Sequence, residues 1–497
     1  MTERSMPSVD PAPSADQPTA HAWAALGGPP GLLDRVSFHG PDTVLSSRLP
    51  VRRLARATVA ACSLAAAELA ALRAGGSGAG AGGAAAGADA TAAGTGTGGE
   101  PGAVAEVRVD QGAVATAFVS ERHLQIDGRT PVSFAPLSGF WQTADGWVRT
   151  HANYPHHRVR LLTALGLPAD TDADRLGRTL REHPAEWIQE RAYEAGALAV
   201  AVAPPVPGVR HPLVESRVVG EAPVRPLGAA ALPADGIRVL DLTRVIAGPV
   251  ATRTLALLGA DVLRVDPPRL PEAEDAHADT GFGKRSTRLD LTGPADRAVF
   301  EDLLATADVV ISGYRPGALD AFGLAPEALL ERRPGLVVAQ LCAWGWTGPW
   351  AARRGFDSLV QAGAGIAATL ADADGRPGVL PAQALDHGTG YLLAAGVLRA
   401  LTDQRTGRPG GRHLRFSLAG TASWLMYGID PAAPASAELS GAALPSEEPY
   451  DAALRLAETD SAYGRLRYVL PPVSYRGGPA DWSRPPGRWG TDRPVWR

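Results

Sequence analysis

From position 237 onward, short apolar runs alternate with longer amphipathic ones, the pattern of strands joined by helices. Ile237–Leu242, Asp261–Asp266, Asp308–Ile311 and Leu336–Leu341 read as strands; Ala251–Leu258, Pro294–Leu304 and Pro326–Arg333 read as the helices between them. Such an alternation predicts βαβ units and an open parallel sheet, whose ligands bind in the loops after the strand C-termini. Nearer the N-terminus the pattern differs. Val51–Ala74 has helical spacing among alanines, and Glu106–Val109 alternates as a strand does. Trp141–Val148 reads as a hairpin turning at Asp145-Gly146, and Arg158–Leu165 and Ala173–Ala195 as helices. These predict a smaller α/β unit ahead of the large one.

Composition sharpens the boundaries. Residues 1–35 are rich in Pro, Ser and Ala, and residues 75–103 are almost purely Gly, Ala, Ser and Thr. Neither can offset its ordering entropy by burying large side chains, so a disordered terminus and a flexible linker are expected. The expected division is a disordered 1–35, a helical segment 36–74, a linker 75–103, a small α/β domain 104–221, a Pro-rich linker 222–235, a large domain 236–430 and a tail 431–497.

Bulk numbers exclude some classes. The 497 residues are 45% hydrophobic and carry a net charge of −4, which leaves no basic surplus for nucleic acid. Two cysteines, Cys62 and Cys342, make no disulfide framework or metal motif. With no signal-like start, and apolar stretches broken before the ~18 residues a span needs, a cytoplasmic chain without a membrane partner is expected. His151, His156 and His157 cluster without a nearby carboxylate or Cys pair, so they are expected on the surface or at caps, with no metal bound.

The candidate chemistry lies in the loops of the large unit. Thr243-Arg244, Arg264 through Pro268, Gly283-Lys284-Arg285-Ser286 and Tyr314-Arg315-Pro316-Gly317 set basic residues beside Gly or Pro, which suits a phosphate-bearing ligand. None is a Rossmann glycine fingerprint or a Walker loop. Leu385-Asp386-His387-Gly388-Thr389-Gly390 then delivers one carboxylate, through a Gly-rich turn, to the start of an apolar helix. Asp386 in that position could cap the helix or attack an electrophile.

The order and wording of these segments resemble the class III CoA-transferases, the CaiB/BaiF family. The likeness runs from Val239 through Arg244 with Ala247-Gly248-Pro249, then Leu258 to Pro268, Gly283–Ser286, Tyr314–Ala318 and Trp344-Gly345-Trp346-Thr347-Gly348-Pro349. The resemblance implies an α/β fold, an open parallel sheet with Rossmann-like βαβ units, here with the smaller domain placed first. It implies that Asp386 is the nucleophile and that coenzyme A is a substrate, with no permanently bound cofactor. By the same carry-over Arg253, Arg264, Lys284, Arg285, Tyr314 and Arg315 would hold the CoA phosphates and adenine. Gly388 and Gly390 would leave room for substrate and offer N–H groups to an oxyanion. Acyl-CoA and a carboxylic acid are the implied partners.

Two alternatives accompany this reading. Racemases of the same superfamily place a proton-carrying His where this chain has Phe356, in Gly355-Phe356-Asp357. A catalytically inactive CoA-binding homologue is the other. The first half also resembles a truncated second copy: Leu49-Pro50 with Leu54 matches Leu380-Pro381 with Leu385, setting Ala55 opposite Asp386. The expected assembly is a homodimer or a pseudo-dimeric fused monomer.

Overall fold

The computed structural model describes residues 16–75, 102–132, 134–205, 210–407, 409–429 and 450–497. An open seven-stranded sheet runs in the spatial order Arg285–Arg288, Asp261–Asp266, Arg238–Leu242, Val309–Ser312, Val337–Cys342, Gly411–Ser417, Glu215–Val219. The first six are parallel, and Glu215–Val219 closes the edge antiparallel to Gly411–Ser417. Counted along the chain, those six stand in the doubly wound order, which reverses between Arg238–Leu242 and Val309–Ser312.

Helices cover both faces, so a central strand such as Val309-Val310-Ile311 is buried on each side. Val239, Val309 and Ile311 point into a core shared with helices Ala247–Leu257, Ala384–Arg405 and Val51–Gly75. Their neighbours Leu240, Leu242 and Val310 point the other way, onto Phe300, Leu303 and Leu329 of Pro294–Leu304 and Pro326–Arg332. Val51–Gly75 is long and apolar enough to cross a membrane, which its broken sequence did not suggest, yet 83% of its apolar window is buried inside the protein. Its small residues let it lie against Ala384–Arg405 with apolar contacts on nearly every side.

The smaller unit is a three-stranded antiparallel sheet, Phe140–Gln142, Trp147–Thr150 and Ala199–Ala201, backed by helices Pro155–Ala164, Ala173–Leu180 and Ala185–Glu194. It has its own core of Leu137, Val148, Leu161, Leu176 and Ile188. Neighbouring parts of segment 104–221 go elsewhere. Val107–Asp110 pairs in parallel with Val36–His39, and Glu215–Val219 joins the large sheet.

Structure is present in the N-terminal segment expected to be disordered, and the tail is ordered where it is described. Within 1–35, Gln17–Ala25 is a helix capped by Asp16, with Trp23 wholly buried and its Nε1 donating to the Pro29 carbonyl at 2.8 Å. One buried indole anchors a segment whose composition suggests disorder. The linker expected at 75–103 lies outside the described residues except at its ends. In the tail, Leu456–Ser461 and Gly464–Val469 form a hairpin that adds to Gln125–Ile126. The chain then runs along the outer edge strand. Trp482 Nε1 donates to the Arg253 carbonyl at 2.9 Å, Trp489 Nε1 to Asp266 Oδ2 at 2.9 Å, and Gly490 N–H to Ser286 Oγ at 2.9 Å. A strand edge that would stand open is thereby covered.

Candidate active site

Asp386 is the third residue of helix Ala384–Arg405. Its backbone N–H donates to Asp357 Oδ2 at 2.9 Å, and the other oxygen of Asp357 accepts from Gln361 Nε2. Gln361 Oε1 in turn accepts the Leu380 N–H at 2.9 Å. Asp357, one helix away, therefore satisfies the helix start. The Asp386 carboxylate is left with no hydrogen bond among the described residues, and at 7% exposure it is nearly enclosed. Burial first, then the like charges of Asp357 and Glu121, raise its pKa well above the ordinary carboxylate value. Burial also pushes Asp357 up to about 6.

What little of Asp386 is open faces two cavities. The smaller, about 280 Å³, lies where the strand order reverses, between the loop after Arg238–Leu242 and the loop after Val309–Ser312. Arg244, Tyr314, Arg315, Arg353 and Arg354 line it. Arg353 is held by Glu190 at 2.6 Å, but Arg315 and Arg354 have no carboxylate partner among the described residues. Burial, then the like charges of Arg315 and Arg160, pull the Arg354 pKa down, as in a cluster that lacks its anion. The larger cavity, about 670 Å³, opens on the other side of Asp386 against the smaller unit, with Leu124, Phe134, Ile246 and Phe356 in its wall. Val245 borders both, and its φ of 72° is strained for a β-branched residue. It precedes helix Ala247–Leu257, whose N-terminal N–H groups start at this junction.

The expected phosphate ligands divide. Tyr314 and Arg315 line the cationic cavity; Arg253, Arg264, Lys284 and Arg285 line neither cavity. Arg264 is fully buried, bound to Asp266 at 2.7 Å and Glu272 at 2.9 Å. Lys284 Nζ donates to Asp241 Oδ2 at 3.2 Å and Thr252 Oγ1 at 2.9 Å, and burial pushes its pKa down to about 8. Arg253 bonds Asp279 at 3.3 Å and Ser120 at 3.2 Å beneath the Trp482 ring. Arg285 begins an edge strand, holding Asp261 at 2.8 Å and the Val495 carbonyl of the C-terminal segment. A charge fixed by an internal partner is not offered to a ligand, so these four are corrected to structural ion pairs.

The glycines are corrected too. No Gly-rich turn precedes the helix; Gly388 and Gly390 lie inside its first turns, where their N–H groups bond carbonyls four residues back. Their role is close approach: a Cβ on Gly388 would stand 2.7 Å from Leu54 Cδ2, and one on Gly390 2.6 Å from the Ala247 carbonyl. Of the histidine cluster, His151 and His157 are buried, with His151 stacked on Phe356 at 3.9 Å between ring centres. Among the described residues no group is placed to hold a metal.

Reasoning from sequence missed Arg354, Asp357 and Glu121 as residues of the site, although Arg354 and Asp357 stand inside or beside the Trp344–Pro349 and Gly355-Phe356-Asp357 segments. Glu121 had no such signal. It comes from the first half of the chain with Phe118, whose ring stacks on His387 at 5.3 Å. Glu121 Oε2 lies 3.7 Å from His387 Nε2.

Residues 234–452, which carry most of this sheet and Asp386, match the model of CoA-transferase family III. A "Probable fatty acyl-CoA transferase Rv3272" of Mycobacterium tuberculosis is 36% identical over 189 residues, 35% of this chain and 48% of its own length. Formyl-CoA:oxalate CoA-transferase of Rhodopseudomonas palustris is 34% identical over 190 residues, 36% of this chain and 44% of its own. The crystal structure of Rv3272 aligns over 39% of this chain and 56% of its own, with 35% identity and a TM-score of 0.37. The chain thus spans about half the length of the curated relatives it matches.

Proposed function

We propose that this chain moves coenzyme A from an acyl-CoA thioester to a carboxylic acid through covalent intermediates on Asp386. The observation that carries the reading is the unpartnered carboxylate of Asp386, buried where a cationic cavity meets an apolar one. Arg315 and Arg354 would receive the nucleotide phosphates, and the acyl group would enter the larger cavity. The family match over residues 234–452 supports the same assignment.

Ionised Asp386 attacks the thioester carbonyl; the C–S bond breaks, giving an aspartyl–acyl anhydride and CoA thiolate. The thiolate attacks the aspartyl carbonyl and expels the donor carboxylate, leaving an aspartyl-CoA thioester. An acceptor carboxylate attacks that carbonyl, releasing thiolate and forming a second anhydride. The thiolate then attacks the acceptor's carbonyl, yielding the new acyl-CoA and free Asp386. Each exchange replaces one difficult transfer by easier acyl steps. N–H groups at the start of Ala247–Leu257, whose Ala247 lines the smaller cavity, would stabilise the developing oxyanion.

Phe356 carries no proton, which weighs against the racemase alternative. Hydroxylamine added during incubation with acyl-CoA should convert Asp386 to its hydroxamate, seen by peptide mass spectrometry. Turnover with residue 386 unlabelled would overturn the mechanism. Solvent deuterium at the acyl α-carbon would restore the racemase, and CoA binding without label or exchange would leave an inactive binding protein.

A further inference from the structure

The larger cavity differs from the smaller in its charges. Among the described residues lining it there is no Lys or Arg; its ionisable groups are carboxylates, one histidine and the phenol of Tyr154. Most of the carboxylates are already matched by cations outside the cavity. Glu272 is held by Arg264 at 2.9 Å, Asp279 by Arg253 at 3.3 Å and Asp275 by Arg129 at 2.6 Å. Asp357 and Asp386 stand in no ion pair among the described residues, and Glu121, 3.6 Å from Arg122 Nε and 3.7 Å from His387 Nε2, keeps Oε2 buried and without a hydrogen-bond partner. The histidine, His151, is kept neutral: burial first, then the charge of Arg149, push its pKa down to about 3.

The remaining wall is apolar, from Leu124, Ile246 and Phe356 inside to Val132 and Phe134 at the lip. Those last two are 84% and 38% exposed, so the cavity mouth presents apolar surface to water. A second carboxylate on an acyl group would be desolvated there against Glu121, with no cation to pair with. An alkyl chain or an aromatic ring would displace water from apolar wall instead.

We propose that the acyl group this chain accepts is uncharged and apolar, a fatty or aromatic monocarboxylic acid, and that dicarboxylic acids such as oxalate are excluded. The inference rests on the CoA-transfer reading, since it takes the larger cavity as the acyl site. It separates this chain from the oxalate transferases it partly resembles.

Unreactive thioethers test it with the full chain. Calorimetry would compare S-octyl-CoA with the equally long S-(7-carboxyheptyl)-CoA, with CoA alone as reference. The octyl thioether should bind about 100-fold more tightly than its carboxylated counterpart; equal or reversed affinities overturn the proposal. Glu121→Lys places a cation beside the cavity and should narrow the gap about tenfold or more, while an unchanged gap in this variant also counts against it. If CoA and both thioethers fail to bind, the CoA reading itself falls. The cavity claim is then decided by free octanoate against suberate in ligand-observed NMR. Only octanoate should bind; binding of suberate, or of neither, overturns it.

Discussion

The two long helices that pack against each other belong to similar units with different fates. Val51–Gly75 leads to strand Val107–Asp110 and helix Gln111–Ala117; Ala384–Arg405 leads to strand Gly411–Ser417 and helix Leu418–Tyr427. Each strand's last residue caps the helix that follows. Asp110 accepts from the Gly112 N–H at 2.8 Å, and Ser417 from the Gly420 N–H at 2.9 Å. The second unit joins the seven-stranded sheet and carries Asp386, whereas the first pairs with one short strand and has Ala55 in the matching position. The lesson is that burial pattern maintains the helix pair, while chemistry depends on a few polar groups that only one unit has. The first unit still serves the site, through Leu54 against Gly388 and through Phe118 and Glu121 beside His387.

The sharpest test of that asymmetry exchanges the two residues. Asp386→Asn keeps the side-chain volume and should reduce CoA transfer by roughly 10⁴-fold or more, read as exchange of labelled CoA between acids. Ala55→Asp should create no second site. It would bury an unpaired carboxylate between helices and lower stability by about 3 kcal/mol or more, read by denaturant unfolding. Activity gained by Ala55→Asp, Asp386→Asn would show the two units to be functionally equivalent after all.

A second difference is steric. Gly390 corresponds to Val59 of the first helix, and a side chain at 390 would meet Val250 Cβ at 2.9 Å as well as the Ala247 carbonyl. Gly390→Val should therefore push the site helix from Ala247–Leu257, lowering stability by about 1–3 kcal/mol and slowing transfer together. Wild-type melting temperature and rate in that variant would mean the helices have slack at the site.

Much of this was legible beforehand, and the failures have physical reasons. Strands such as Asp261–Asp266 follow from short apolar runs because helices bury them on both faces, and Pro294–Leu304 from helical periodicity because one face packs inward through Phe300, Leu303 and Leu304. Asp386 was legible because a lone acid before an apolar helix is rare in so specific a run. Sequence order does not tell whether a basic residue faces a cavity or a buried acid. Arg264 and Arg315 look alike in sequence, yet Arg264, inside strand Asp261–Asp266, turns inward to Asp266 and Glu272 two and eight residues away, while Arg315 stays open. Glu121 comes from a distant segment, so only the fold brings it to Asp386. The C-terminal tryptophans gave a related difficulty, since Pro-rich composition hides their bonds to helix Ala247–Leu257 and strand Asp261–Asp266.

Acid–base behaviour distinguishes the units more gently. Because burial and Asp357 raise the Asp386 pKa, transfer should increase with pH through an ionisation above the ordinary carboxylate value. Asp357→Asn removes one like charge but keeps an oxygen for the Asp386 N–H. It should move that limb to lower pH and alter the plateau rate only several-fold. Stability has the opposite slope. A carboxyl whose folded pKa is raised contributes its stability below the unfolded pKa and loses it as pH rises through the folded value. Wild-type protein should thus lose stability as pH rises from the ordinary carboxylate pKa to about 6, where Asp357 ionises, and further as Asp386 ionises, and Asp386→Asn should flatten the loss. A limb unmoved in Asp357→Asn would assign the ionisation to another group.

The smallest effect is expected where the two helices have their most visible ionic link. Arg399 on the site helix bonds Glu68 on its partner, and also Asp403 at 2.8 Å and the Gly27 carbonyl at 3.2 Å. Were the ion pair a strong tie, Glu68 would be held below its ordinary pKa. Its pKa is instead raised, because burial outweighs the attraction of Arg399. The desolvation cost of the pair then roughly cancels its Coulombic gain, and Arg399 keeps two other acceptors when Glu68 is neutral. Glu68→Gln should change unfolding free energy by less than about 1 kcal/mol at neutral pH. Any gain should appear toward higher pH, where the raised carboxyl of the wild type is forced to ionise. A loss of several kcal/mol would instead make this pair, rather than apolar packing, the joint between the two units.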